Sequence, residues 1–145
     1  MNPVLGVDFG KVRIGLAISD ELRLLAHPLE TISAAGDATK RIARIVRERK
    51  INIVVVGIPK KMGGETGKAA NEAFEFVKKL RAVLPCEVVT WDERLTTVAA
   101  QRALRETGKG IRDTRQIVDQ VAAQMILQGY LDRESEAASS DQILR

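Results

Sequence analysis

The segment VLGVDFGKVRIGLAIS, from Val4 to Ser19, decides the fold of the chain. It consists of two apolar halves, Val4 to Phe9 and Ile14 to Ser19, and a polar break, Gly10 to Arg13, that is too short to hold a helix. This pattern predicts two antiparallel strands joined by a hairpin. Another short break leads to a third extended segment, Leu24 to Ile32. We therefore expect the chain to begin with three antiparallel strands.

The remainder of the chain alternates helical and strand-like patterns. Apolar residues recur at helical spacing from Asp37, the expected N-cap, to about Lys50, and the β-branched run Ile53 to Ile58 predicts a strand buried on both faces. Further along, we predict a helix from Ala70 to Leu84, a strand from Glu87 to Trp91, a short helix from Thr97 to Thr107 and a long helix from Thr114 to Leu131. This order predicts an α/β fold with a five-stranded mixed sheet and helices on both faces.

The length and charge of the chain narrow the class of protein. We expect one domain over residues 1–131 of the 145, followed by a flexible C-terminal tail at 132–145. No apolar run approaches the roughly 20 residues of a membrane-spanning helix, and no secretory signal pattern is present, so we expect a cytoplasmic location. A net charge of +4 favours a nucleic-acid partner, and an aromatic content of 3% favours contacts to phosphate and sugar over base stacking.

Asp8 is the first candidate for a chemical role, because it interrupts an otherwise apolar central strand. A carboxylate is costly to bury unless a metal ion or a basic side chain neutralises it. The nearby Gly10 and Gly15 indicate a place where a backbone or a ligand approaches closely. The alternative is an Asp in a turn that only satisfies a backbone contact.

Asp92 and Glu93 form a second acidic candidate at the end of a predicted strand. Since neighbouring strand residues point to opposite faces, only one of them can share the side of Asp8. We favour Glu93, whose longer side chain reaches further, and expect Asp92 to make a short local contact with the turn. The alternative is a capping cluster in which Thr96 or Thr97 starts the next helix.

Asp119 in the last helix is the third acidic candidate, at the edge of the apolar stripe and near the small Ala122 and Ala123. An exposed Asp paired with Arg115 is the alternative. Acids from three separate segments, without an accompanying set of His or Cys ligands, suit Mg²⁺ or Mn²⁺ and disfavour zinc. We therefore expect Asp8, Glu93 and Asp119 as metal ligands, with Asp92 as a further catalytic candidate.

Several basic residues are candidates for holding the phosphates of a nucleic acid. The loop from Pro59 to Gly67 follows a central strand and precedes a helix, where α/β sheets often receive anions, but it lacks the ending of a nucleotide-binding P-loop. A solvated connection is the alternative for this loop. The expected nucleic-acid-binding residues are Lys11, Arg13, Lys60, Lys61, Arg94, Lys109 and Arg112.

Four segments together resemble the YqgF family, also called RuvX, of bacterial Holliday-junction-resolvase-like proteins. They are Gly6-Val-Asp-Phe-Gly-Lys-Val-Arg-Ile-Gly15, Val56-Gly-Ile-Pro59, Asp92-Glu-Arg-Leu-Thr-Thr97 and Val118-Asp-Gln-Val-Ala-Ala123. The resemblance implies a ribonuclease H-like fold and a cytoplasmic nuclease that acts in maturing the 5′ end of the 16S ribosomal RNA precursor; the older assignment was cleavage of branched DNA.

By position, the resemblance makes Asp8 the first-strand acid, the Asp92–Glu93 pair the middle acid and Asp119 the last-helix acid. In junction resolvases the middle acid ends the central strand, whereas here that strand ends in Gly57-Ile-Pro59 and the acids come one strand later.

Two other functions are compatible with these patterns. The acids can be structural, in which case the protein is a non-catalytic RNA-binding factor in ribosome assembly. The Asp-x-Gly motif also resembles the first phosphate motif of actin-like ATPases, but those enzymes close two such domains around a nucleotide. As partners we expect a nucleic acid, with structured RNA favoured over DNA, and pre-ribosomal particles; the choice between RNA and DNA and the oligomeric state are left open.

Overall fold

The computed structural model describes residues 1–60, 63, 67–96 and 112–144, with the side chains of 112–117 and 140–144 outside the description. The strands are β1 (Val4–Asp8), β2 (Arg13–Ser19), β3 (Ala26–Ser33), β4 (Ile53–Ile58) and β5 (Glu87–Asp92). The helices are α1 (Ala38–Glu48), α2 (Lys68–Val83) and α3 (Arg112–Leu144), and a single 3-10 turn, Glu93–Leu95, follows β5.

The five strands form one mixed sheet in the order β3-β2-β1-β4-β5. Strand β1 is antiparallel to β2, and β2 to β3, whereas β1, β4 and β5 are mutually parallel. Short breaks between the first three strands allow only hairpins, and the helices α1 and α2 supply the crossovers that parallel pairing requires. The predicted α/β architecture is confirmed.

Each face of the sheet buries its own apolar core. Alternate residues of the central strands, such as Leu5, Val54 and Val56, pack against α1 and α2 on one face. The intervening residues, such as Val55, pack against α3 on the other face, together with Ile126 and others. A central strand covered on both sides has no solvent face, which explains the unbroken apolar run of β4.

Several predicted boundaries differ from the structure. Strand β3 begins at Ala26 rather than Leu24, because the Asp20 carboxylate accepts hydrogen bonds from the backbone N–H groups of Leu24 and Leu25 and holds them in a turn. The end predicted for the last helix at Leu131 is wrong, since α3 continues to Leu144. Leu131 is buried, whereas residues 132–139 are exposed, and the Arg133 guanidinium lies 5.8 Å from the centre of the Trp91 ring of β5.

Two further expectations concern the helices. Asp37 occupies the N-cap position of α1, but its carboxylate accepts from the Thr39 hydroxyl rather than from a backbone N–H. The short helix predicted from Thr97 to Thr107 lies outside the described residues. Within the described ranges, no helix combines the length and the apolar character needed to cross a bilayer.

Because α3 and β1 are in close contact, even a methyl side chain at Gly6 should lower the unfolding free energy. A Cβ on Gly6 would lie 2.7 Å from the Leu127 Cβ and 3.0 Å from the Ala123 carbonyl oxygen, so Gly6→Ala forces the helix away from the sheet. We expect this variant to lose about 1–3 kcal/mol of unfolding free energy in urea titrations. Gly63→Ala is the matched control, because a Cβ at Gly63 meets no atom of the described residues within 4 Å. Equal losses in both variants would contradict the proposed packing.

Candidate active site

Asp8 lies at the carboxyl end of β1 between two glycines on the neighbouring strands. It pairs with Gly15 of β2. On the other side Val7 pairs with Val56 of β4, and continuing this parallel register by one residue places Gly57 beside Asp8. Residues that lie side by side in a sheet project to the same face. Asp8 therefore points toward α3, with no side chain on either flanking position.

Two other acids occupy the space that these glycines leave. A Cβ on Gly15 would overlap the backbone oxygen of Asp119, and one on Gly57 would lie 2.9 Å from the Oε2 atom of Glu93. Neighbouring strands are about 4.8 Å apart. Asp119 and Glu93 thus reach the sheet about one strand spacing to either side of Asp8. We call Asp8, Glu93 and Asp119 the carboxylate row; each of the three is only 3% exposed.

Glu93 and Asp92 have different environments, as strand alternation predicts. Asp92 caps the 3-10 turn, where its Oδ1 accepts from the Arg94 backbone N–H at 3.0 Å and its Oδ2 contacts the Arg94 guanidinium at 2.6 Å. Glu93 instead turns inward toward Gly57. The expected local contact of Asp92 is confirmed, and the structure does not bring this carboxylate into the row.

The pKa of Asp92 is lowered, first by the hydrogen bond from the Arg94 side chain and further by the turn N–H and the charge of Lys60. A lowered carboxyl pKa in the folded state means that the ionised form stabilises the fold.

Asp119 is held by a long-range ion pair. The alternative of an exposed Asp is wrong, because the side chain is buried against β2 and its Oδ2 accepts from the Arg13 Nε at 2.9 Å. The side chain of Arg115 lies outside the described residues. Arg13 thus partly neutralises an acid that would be costly to bury alone.

The carboxylate row has suitable donor atoms for a divalent ion, but its three side chains are not grouped closely enough to bind one together. Oxygen donors suit Mg²⁺ or Mn²⁺. In the described ranges, however, no three His, Cys, Asp or Glu side chains are grouped closely enough to hold an ion. The roles of Asp8, Glu93 and Asp119 as metal ligands stay a prediction, and one of the three, Asp119, contacts Arg13.

The predicted phosphate-binding residues are distributed around this edge of the sheet. Lys11 pairs with Glu72 of α2 at 3.1 Å, a contact that raises the pKa of Lys11, and Arg94 pairs with Asp92. Lys60 follows the carboxyl end of β4. Lys61 and Lys109 lie outside the described residues, as does the side chain of Arg112.

Both Gly15 and Gly57 admit an acidic residue from another element, but only Gly15 was predicted as a place of close approach. A signal for Gly57 was present, because a glycine interrupts the β-branched run of a central strand. Such a glycine often marks the close approach of another group.

The fold and the acids define a protein of the ribonuclease H-like class. The chain belongs to the RuvX family, whose model is described as Holliday junction resolvase and matches residues 2–133. This confirms the family resemblance and, since the family is one of nucleases, the expected enzyme class of hydrolases acting on phosphodiester bonds.

Curated relatives match over nearly their whole length. A protein of Acetivibrio thermocellus is 45% identical, covering 92% of this chain and 97% of the relative. One of Chloroflexus aggregans is 49% identical, with 89% and 92% covered. One of Rhodococcus opacus is 46% identical, with 96% and 82% covered. Each is named "Putative pre-16S rRNA nuclease".

Solved structures support the fold. RuvC of T. thermophilus in complex with a Holliday junction substrate has a TM-score of 0.54 at 15% identity, covering 93% of this chain and 96% of that chain. The Holliday junction resolvase of fowlpox virus has a TM-score of 0.51 at 12% identity, with 90% and 99% covered. At these identities the likeness extends to the fold alone.

The lowered pKa of Asp92 predicts a pH-dependent contribution to stability. This contribution is complete above the ordinary pKa of an Asp and is lost as the pH falls through the lower pKa of the folded state. Asp92→Asn keeps an oxygen for the turn N–H but loses the ion pair with Arg94. It should therefore reduce the unfolding free energy at pH 7 by about 0.2–1 kcal/mol, and the deficit should disappear in acid. Urea titrations across the acidic range measure it.

Glu136→Gln on the exposed part of α3 is the control and should change little at any pH, because Glu136 makes no hydrogen bond or ion pair within the described chain. A deficit for Asp92→Asn that stays constant down to the lowest pH would contradict the assignment.

Proposed function

We propose that this chain is a metal-dependent nuclease that cleaves the 16S ribosomal RNA precursor in the processing of its 5′ end. The observation that carries the proposal is the carboxylate row, in which Asp8 and Glu93 lie buried at the carboxyl edge of the sheet. The names of the curated relatives favour ribosomal RNA as the substrate. A cytoplasmic location and pre-ribosomal particles as partners belong to the same proposal.

Burying the carboxylates of Asp8 and Glu93 costs folding free energy unless a positive charge offsets them. Asp8 sits in a central strand with cores on both faces, and a carboxylate in such a place destabilises the fold unless a cation offsets it. Asp8, at the end of β1, and Glu93, in the turn after β5, would together hold a Mg²⁺ or Mn²⁺ ion. When bound, such an ion activates water and stabilises charge on the departing oxygen.

The protein's own residues would hold and orient the nucleic acid. Lys60 and Arg94 lie at the ends of β4 and β5, close to the row, where cations attract phosphates independently of base sequence. The aromatic content of 3% gives little surface for base stacking, so recognition would depend on the shape and backbone of the RNA.

Branched DNA is the second candidate substrate, because the family model is described as Holliday junction resolvase. The same row would serve either substrate, since hydrolysis of a phosphodiester makes the same chemical demands in RNA and DNA. A non-catalytic RNA-binding factor would keep the basic edge without using the acids.

A cleavage assay with matched acid-to-amide variants tests the proposal. We expect wild type to cleave a structured fragment of pre-16S RNA in Mn²⁺ and to be inactive in EDTA. Asp8→Asn and Glu93→Gln should lose about 100-fold or more, because each removes a charge from the row. Asp92→Asn should stay within about tenfold of wild type, since Asp92 contacts Arg94 outside the row.

The substrate and the variants separate the candidate functions. Cleavage of a four-way DNA junction but not of the RNA would favour the resolvase assignment. RNA binding without cleavage by wild type would favour the non-catalytic factor. Full activity in a folded Asp8→Asn would contradict the role of the row.

A further inference from the structure

Arg13 projects from the rim of the carboxylate row. It is the first residue of β2 and lies two residues before Gly15, so both point to the face that α3 covers. Two residues of strand span about 6.6 Å. The base of the Arg13 side chain is therefore displaced by this distance from Asp8, toward the open edge where Lys60 and Arg94 also lie.

Within the described part of the chain, the guanidinium of Arg13 uses one of its three nitrogen atoms for a hydrogen bond. Its Nε donates to the Oδ2 of Asp119 at 2.9 Å, and the described part of the chain provides no acceptor for its two terminal Nη groups. The Arg13 side chain is 32% exposed, whereas that of Asp119 is 4% exposed. The carboxylate thus holds the base of the guanidinium, and the outer fork is open to solvent.

The other paired cations at this edge are arranged differently. Arg94 spends both Nε and one Nη on Asp92, and Lys11 offers a single ammonium group that is bound to Glu72. A guanidinium fork matches two phosphate oxygens at once, and a carboxylate that fixes its orientation reduces the entropy lost on binding. Within the described chain, Arg13 is the cation at this edge whose guanidinium is oriented by a carboxylate through Nε and keeps both Nη groups for a ligand.

We propose that Arg13 is a phosphate-binding residue of the substrate site, and that Asp119 is the positioning residue that aims it. The phosphate received is a backbone phosphate next to the bond cleaved at Asp8 and Glu93, so this inference rests on the proposed nuclease function. In this role Asp119 acts through Arg13, and its predicted role as a metal ligand is a separate question.

Binding without cleavage tests the proposal. Affinity for a structured pre-16S RNA hairpin and for a four-way DNA junction is measured in EDTA by fluorescence anisotropy over a series of NaCl concentrations. Arg13→Ala should weaken binding about tenfold and make the salt dependence of log K shallower by about one unit. Arg13→Lys, which keeps the charge but not the fork, should retain the slope and lose part of the affinity.

Arg41→Ala is the matched control, because Arg41 forms a similar ion pair with Glu30 at 3.0 Å on the opposite face of the sheet. It should bind within about twofold of wild type. In an Asp119→Asn background, Arg13→Ala should cost less than about threefold, since the guanidinium is no longer aimed. Circular dichroism establishes that each variant is folded, and Arg13→Lys carries the comparison if Arg13→Ala is not.

The outcomes separate this inference from the proposed function. Wild-type binding with an unchanged affinity and slope in folded Arg13→Ala would overturn the role of Arg13 and leave the nuclease proposal standing. The same tenfold loss in the Asp119→Asn background would overturn the positioning role of Asp119. If wild type bound neither nucleic acid, the proposed function itself would fail, and the inference with it.

Discussion

The close approach of α3 to the sheet is the constraint on which the rest of the structure depends. The backbone of Asp119 occupies the place of a side chain at Gly15, and a Cβ on Gly6 would lie 2.7 Å from the Cβ of Leu127. Any larger residue at these positions would lift the helix by a distance that the core cannot absorb without voids. The same contact brings a buried carboxylate to the flank of Asp8, so packing and candidate chemistry share one cause.

On the opposite flank of Asp8, the acid comes from the turn that follows β5 rather than from the neighbouring strand. Strand β4 has Gly57 at the position beside Asp8. Strand β5 ends at Asp92, and the turn that follows directs the Glu93 carboxylate into the space that Gly57 leaves open. The length of the Glu side chain compensates for the extra strand, so an acid still lies beside Asp8.

The sheet and its helices were predictable from local patterns, whereas the contacts that complete the site were not. Alternation, helical spacing and break length determine the elements and their pairing. Alternation also predicted that only one of Asp92 and Glu93 faces the row. The Arg13–Asp119 ion pair joins residues 106 positions apart, and its occurrence depends on where α3 docks on the sheet. The continuation of α3 past Leu131 was not predicted, because exposed polar residues show no apolar residues at helical spacing.

Anomalous diffraction from a crystal grown with Mn²⁺ tests whether Asp8 and Glu93 bind a metal ion. It locates an ion without assuming any activity. The account predicts a peak on the α3 face of the sheet, within about 2.5 Å of carboxylate oxygens from both Asp8 and Glu93. Arg13 should still contact Asp119 in that crystal. A crystal in which the row holds no ion, while Mn²⁺ is bound at Asp92 or elsewhere, would contradict the account.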